Sequence, residues 1–200
     1  MKTKALLVIP IVLLFSNPAQ GQDWFTGISY GVAFPTSDTK DFTEDTSWRN
    51  WSFDVLYQLK PNTALGVNFG WNVFTVITDF DEVSELENVD IGGVKYRYTN
   101  SFPMLVTVRQ FVGTQGGMRP FFGLGVGTQL VKRSVDVSTF RISGDTWHFA
   151  LAPEVGVVLP LNSDAKWFLS AKYNYGVKSS DKTESYFGLN IGVAWQTGGF

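Results

Sequence analysis

Few groups in this chain can do chemistry, and they are scattered. Histidine occurs once, as His148, and cysteine does not occur. A histidine acting on an ester or acyl bond needs a hydroxyl and a carboxylate within hydrogen-bond reach. Ser52 and Ser29 are the candidate hydroxyls, but no spacing demands that either approach His148. A histidine hydrogen-bonded inside the fold is the plainer reading, and no catalytic residue is assigned. The run Gly123-Leu-Gly-Val-Gly-Thr128 superficially resembles a dinucleotide loop. Its third glycine is misplaced and no helix follows, so nucleotide binding is excluded. No cofactor and no specific metal site are expected.

Acidic residues cluster in two polar stretches. Residues 78–90 carry Asp79, Asp81, Glu82, Glu85, Glu87 and Asp90 with no base among them. Residues 36–47 carry Asp38, Asp41, Glu44 and Asp45 against Lys40 and no other base. Hard carboxylate oxygens suit a divalent cation bridging to phosphates. The spacing does not match an EF-hand, and a solvated acidic surface is the simpler role. Four further charges are different in kind. Asp54, Arg109, Glu154 and Lys172 lie inside segments that otherwise alternate between large apolar and small residues. Each falls on the small-residue face, where a charge must be paired or stay hydrated. The turn between the sixth and seventh segments centres near Asn162-Ser163, which places Glu154 about level with Ala171 and Lys172 and predicts a salt bridge.

The elements that must position these groups are strands. From Phe187, the residues Leu189, Ile191, Val193 and Trp195 share one face, opposite Gly188, Asn190, Gly192, Ala194 and Gln196. The same period of two runs through Leu65, Val67, Phe69, Trp71 and Val73 against Gly66, Asn68, Gly70 and Asn72. Eight strands are predicted: 24–35, 48–60, 64–77, 98–112, 119–133, 146–159, 165–178 and 185–196. Short turns at 61–63, 113–118 and 161–164 alternate with longer polar connections at 36–47, 78–97 and 134–145. The connection at 179–184 is brief. Pro103 and Pro153 cannot donate ladder hydrogen bonds, so a bulge or kink is expected at each, and one at Pro153 would re-aim Glu154.

Two architectures fit eight alternating strands. In a soluble lipocalin-type barrel the large face points inward, leaving Gly123, Gly125, Gly127, Ala150, Ala152, Gly188 and Gly192 as the surface. A soluble surface carries many more charges than that. With the large face outward, the chain is an eight-stranded antiparallel up-and-down transmembrane β-barrel with a small-residue lumen. Aromatics sort to both ends, as interfacial girdles do. Trp51, Trp71, Trp147, Tyr175 and Tyr186 fall near loop ends, and Trp24, Tyr57, Phe122, Trp167 and Trp195 near turn ends. With turns on the periplasmic side, both termini are periplasmic.

Residues 1–21 are read as a cleaved secretory signal peptide and 22–200 as the barrel domain. Lys2 and Lys4 precede the apolar run Ala5 to Phe15, and Ala19-Gln20-Gly21 supplies small residues before a cut at Gln22. The run is too short for a spanning helix. The whole chain has a net charge of −2. Loss of both leader lysines makes the mature chain more acidic, which argues against a nucleic-acid partner.

On these strands, turns and girdles, the chain resembles the small eight-stranded outer-membrane barrels of the OmpA, OmpX and OmpW type. The resemblance covers the whole mature chain and rests on pattern. It implies an outer-membrane location in a Gram-negative bacterium, in contact with outer-membrane lipid and lipopolysaccharide. Terminal Phe200 is similar to the aromatic residue that the barrel-assembly machinery reads in that group. Phe200 is out of phase with Trp195, so either the last strand bulges near Gly198 or Trp195 carries the signal. The function implied is non-enzymatic, in envelope structure and surface interaction. The alternatives are a narrow ion pore, an OmpW-like route for a small apolar solute, and a lipid-modifying enzyme built on His148.

Overall fold

The computed structural model describes residues 24–83, 90–114, 116–137, 140–162, 165–179 and 182–197. The segment 1–21 read as a signal peptide and Phe200 lie outside the described residues, as do Glu85 and Glu87. The elements are β1 (Trp24–Thr36), α1 (Ser37–Phe42), β2 (Ser47–Lys60), β3 (Thr63–Val83) and β4 (Asp90–Phe111). They continue as β5 (Arg119–Val137), β6 (Phe140–Pro160), β7 (Ala165–Ser179) and β8 (Lys182–Thr197). The strands pair in chain order, all antiparallel, and β8 pairs back to β1, closing an eight-stranded barrel. Closure leaves no unpaired edge around the barrel wall.

The alternation sets which face points outward. Ile28, Phe53, Phe69, Val106, Leu124, Phe149, Leu169 and Ile191 are all exposed on the outside. Between them Asp54, Asn68, Thr107, Ala150, Ser170 and Asn190 are buried in the lumen. Tyr186 departs from the predicted girdle: it is buried in the lumen, edge-on to Phe74 with ring centroids 5.7 Å apart. The reason is phase, because even-numbered residues of β8 share the inward face with Gly188 and Asn190.

The strands outrun the predicted boundaries on one side only. β3 and β4 pair out to Val83 with Asp90, and β5 and β6 out to Val137 with Phe140. Much of the expected loops at 78–97 and 134–145 is therefore strand. β4 and β5 also stay paired out to Lys95 with Val137. A four-stranded sheet thus rises past the rim of the barrel. The β2 to β3 ladder stops at Asn50 with Asn72, and the β6 to β7 ladder stops at Ala150 with Gly176. Above those points β3 and β6 form the two edges of the raised sheet. The stretch 36–47 is also not a plain loop, since α1 occupies its first half.

Neither proline produces a bulge. The β6 to β7 register is the same on both sides of Pro153, with Leu151 opposite Tyr175 and Glu154 opposite Lys172. The β3 to β4 register likewise continues past Pro103, from Phe69 with Met104 to Asn72 with Ser101. Each proline leaves a gap in one ladder while its other side stays paired, at Gln129 for Pro103 and Leu124 for Pro153. The missing N–H is accommodated by local loss of pairing rather than an inserted residue.

Candidate functional site

The lumen is filled in layers from the turn end to the loop end. At the turn end Phe25, Leu56, Phe111, Phe121, Val158 and Phe168 are buried together. Phe25 lies 6.4 Å from both Phe111 and Phe168 by ring centroid, and Phe111 lies 5.6 Å from Phe121. Room for these rings comes from glycine. A Cβ on Gly192 would sit 2.6 Å from the Phe168 ring, and one on Gly156 would sit 2.6 Å from the Phe121 ring. The small-residue face is thus one half of a packed interior whose other half is phenylalanine.

The ionic cluster lies directly above this layer. Arg109 on β4 donates from Nη2 to Asp54 Oδ1 on β2 at 3.0 Å. It donates from Nε to Glu154 Oε2 on β6 at 2.9 Å. Lys172 Nζ on β7 stands 3.8 Å from Glu154 Oε1, on the paired position of the adjacent strand. Asn68 donates from Nδ2 to Asp54 Oδ1 at 2.8 Å and to Ser52 Oγ at 2.7 Å. Arg109 reaches β6 across Gly123 of β5, where a Cβ would meet its Cγ at 3.0 Å. The guanidinium stacks over Phe121 at 5.1 Å, joining the two layers. All four charged side chains are buried. Two carboxylates and two cations balance formally, so the cluster carries no net charge when ionised. Such a cluster ties β2, β4, β6 and β7 together and leaves no single charge unpaired.

Above the charges, Asn50 of β2 donates to Asn190 Oδ1 of β8 at 2.7 Å, over Gly31 of the intervening β1. Phe74, Ala33 and Tyr186 form a second apolar layer. His148 is buried at this level. Its Nδ1 lies 3.1 Å from the Val177 carbonyl, which can only accept, so Nδ1 carries the proton. Ser52 bonds Asn68 and lies in the Asp54 network. Among the described residues neither Ser52 nor Ser29 hydrogen-bonds His148, so the acyl-transfer grouping is not assembled there. No cluster of three or more metal-ligating side chains occurs among the described residues.

The loop end is capped by α1. Ser37 enters it at φ 51°, turning the chain inward, and Thr39 and Thr43 are buried. Thr39 Oγ1 donates to Glu184 Oε2 at 2.8 Å and accepts from the Ser185 N–H at 2.9 Å. Asp38 Oδ2 accepts from the Thr183 N–H at 2.6 Å. Arg133 pairs with Glu184, donates to the Asp38 carbonyl at 3.2 Å and covers the Phe42 ring at 4.7 Å. Asp38 is thus a capping group rather than part of a solvated acidic surface. Of the other acidic group, Asp79, Asp81 and Glu82 lie on β3 and Asp90 on β4, along the raised sheet. Trp195 is exposed on the outer wall opposite Thr26 of β1.

The sequence reading did not find the aromatic layer, because Phe25, Phe111 and Phe168 interrupt its small-residue face. The signal was present as glycines at 156 and 192, which the fold uses as sockets. Nor did it find the cap, whose key contacts are a threonine and a backbone amide.

No protein-family model and no curated protein matches the sequence. Solved structures do. Ail of Yersinia pestis, in complex with the heparin analogue sucrose octasulfate, superposes with a TM-score of 0.56 at 13% identity, covering 90% of this chain and 100% of that one. Neisserial surface protein A gives 0.53 at 14% identity, covering 90% and 99%. A major outer membrane protein from Thermus thermophilus gives 0.54 at 12%, covering 89% and 100%. The fold is that of the small eight-stranded outer-membrane barrels.

Proposed function

We propose that this chain is a non-enzymatic outer-membrane barrel with a closed lumen that acts through its outer surface and its raised sheet. One observation carries the reading: buried side chains occupy successive levels of the lumen, phenylalanine, then an ionic cluster, then the Phe74 and Tyr186 layer, with α1 above them. A barrel of this size has an interior just wide enough for side chains to fill it. The continuous outer belt of exposed Ile, Val, Leu, Phe and Trp supports a bilayer setting, since strands expose such a belt only to lipid. In this reading residues 1–21 are an export leader cut before Gln22. The turns and both termini face the periplasm, and α1 and the raised sheet face outward. Trp195 or Phe200 then presents the aromatic signal to the barrel-assembly machinery.

The raised sheet supplies the surface role. Its β3 and β6 edges carry main-chain groups that pair with no neighbouring strand among the described residues, and such edges accept extended segments of other chains. The carboxylates along β3 and β4 suit contact with cation-bridged lipopolysaccharide phosphates. Cell fractionation and gel migration test the placement. The protein should sediment with outer membranes, begin at Gln22, and run faster unheated than boiled, because a closed barrel resists unfolding in detergent. Recovery in the soluble periplasm, or identical migration of the two samples, overturns it.

A further inference from the structure

The two edges of the raised sheet differ in sequence. The β3 edge, Val73 to Val83, carries Asp79, Asp81 and Glu82 and no base. It offers no cation to the carboxylates of a second such edge, and like charges set opposite one another are destabilising. The β6 edge, Phe140 to Phe149, reads Phe-Arg-Ile-Ser-Gly-Asp-Thr-Trp-His-Phe. It contains neither lysine nor proline, the residues that commonly keep an exposed edge from pairing. Ile142, Ser143, Gly144 and Asp145 are all exposed, and a Cβ on Gly144 would meet nothing within 4 Å.

The β6 edge is self-complementary. Arg141 and Asp145 stand two positions either side of Ser143, and the period of two puts all three on one face. Two such edges paired antiparallel about Ser143 set Arg141 of each copy opposite Asp145 of the other, twice over. Ile142 then falls opposite Gly144. The neighbouring strand extends the pattern, because Asp136 of β5 is paired with Arg141 and Lys132 with Asp145. On each side of the twofold axis the joined sheet carries Asp136, Arg141, Asp145 and Lys132 in a row of alternating sign, and opposite charges on paired strands attract. This register uses residues 140–146 and stays clear of Ala150, where the β7 ladder begins.

The twofold axis of such a pair lies along the sheet normal, so it reverses strand direction and turns the second barrel upside down. Two copies in one bilayer point the same way and cannot meet like this. Seven positions separate Ser143 from Ala150 in each copy, so the two rims stand roughly 46 Å apart along the strands at about 3.3 Å per residue, and the barrels do not collide. We infer that the β6 edge of the raised sheet pairs with the β6 edge of a second copy in a facing membrane, joining the two surfaces. The inference rests on the outward placement of the raised sheet proposed above and names the partner of this edge. Each contact is short and weak, and many copies on each surface add up to adhesion.

Light scattering from phosphatidylcholine vesicles carrying the refolded mature protein tests it. Vesicles with the unmodified protein should cluster, and protein-free vesicles should not. Asp145→Lys sets a cation opposite Arg141, and Arg141→Asp sets a carboxylate opposite Asp145, so vesicles of either variant alone should cluster at least ten-fold more slowly. Vesicles of the two variants mixed together set cation opposite carboxylate at both positions and should cluster at least five-fold faster than either alone. Clustering that survives either substitution, or a mixture no faster than its parents, overturns the inference. So does an unmodified protein that inserts yet leaves the vesicles dispersed. Heat-modifiable migration and co-flotation with the vesicles show that each variant folds and inserts. An unmodified protein that fails to insert overturns the bilayer placement and the facing-membrane contact together, whereas insertion without clustering overturns the contact alone.

Discussion

Arg109→Met is the perturbation that separates a hub from a peripheral charge. Arg109 contacts Asp54 at 3.0 Å and Glu154 at 2.9 Å, whereas Lys172 contacts only Glu154, at 3.8 Å. At an effective dielectric of about 20, each Arg109 contact is worth roughly 5.5 kcal/mol of gross attraction and the lysine contact roughly 4.4. Desolvation cancels much of this, because all four side chains are buried. The consequences of removal differ more than the gross terms do. Without Arg109, two carboxylates remain in the lumen with one lysine between them, and Asp54 keeps only its Asn68 partner. Breaking a buried group in this way costs about 3–5 kcal/mol. Without Lys172 the cluster also holds one excess carboxylate, but Glu154 still holds Arg109, so the loss should be smaller, about 1.5–3 kcal/mol. Combining Asp54→Asn with Arg109→Met should recover part of the Arg109→Met loss, since Glu154 then keeps Lys172 and no buried charge is left without a counter-charge. Reversible urea unfolding in lipid vesicles, followed by tryptophan fluorescence, measures each value. Equal losses for Arg109→Met and Lys172→Met, or an Asp54→Asn, Arg109→Met double variant no more stable than Arg109→Met alone, would refute the hub.

Other consequences follow from the packing. Phe69→Arg places a charge on the outer belt and should cost about 2–4 kcal/mol in the same vesicles. Asn68→Asp on the lumen side of the same strand would instead add a carboxylate beside Asp54, and its loss should be relieved by Asp54→Asn. Gly192→Ala drives a methyl into the Phe168 ring and the Ile28 carbonyl, and overpacking of this kind costs about 1–3 kcal/mol. Thr39→Val removes the hydroxyl that bridges Glu184 and the Ser185 amide. It should speed hydrogen exchange at 37–43 while leaving global unfolding within about 1–2 kcal/mol of the unmodified protein.

The barrel was legible because period-two alternation is a local property. Phe69 and Asn68 announce their faces without reference to any other strand. The Glu154 and Lys172 juxtaposition could be counted from a four-residue turn for the same reason. Arg109 could not be recognised as the hub, because its two carboxylates sit two strands away on either side, on β2 and β6, and their distances depend on barrel curvature. The strand ends were misjudged where the large-against-small alternation gives out. Beyond Ile77 and before Tyr98 charged residues such as Asp79, Asp81, Glu82, Lys95 and Arg97 interrupt the alternation, and a strand so interrupted reads as a loop. Phe111, Phe121 and Phe168 face inward against the general rule because the lumen narrows onto glycines, a complementarity that lies between strands rather than along one. The α1 segment is six residues long, too short for helical periodicity to show.

Single-channel recording on refolded protein in a planar bilayer, across a range of pH, tests the closed lumen most directly. With phenylalanine, ionic and capping layers all in place, the protein should insert without stable ohmic steps, and Thr39→Val should stay silent because the deeper layers remain. Stable conductance steps from the unmodified protein would contradict the account and make the barrel a pore.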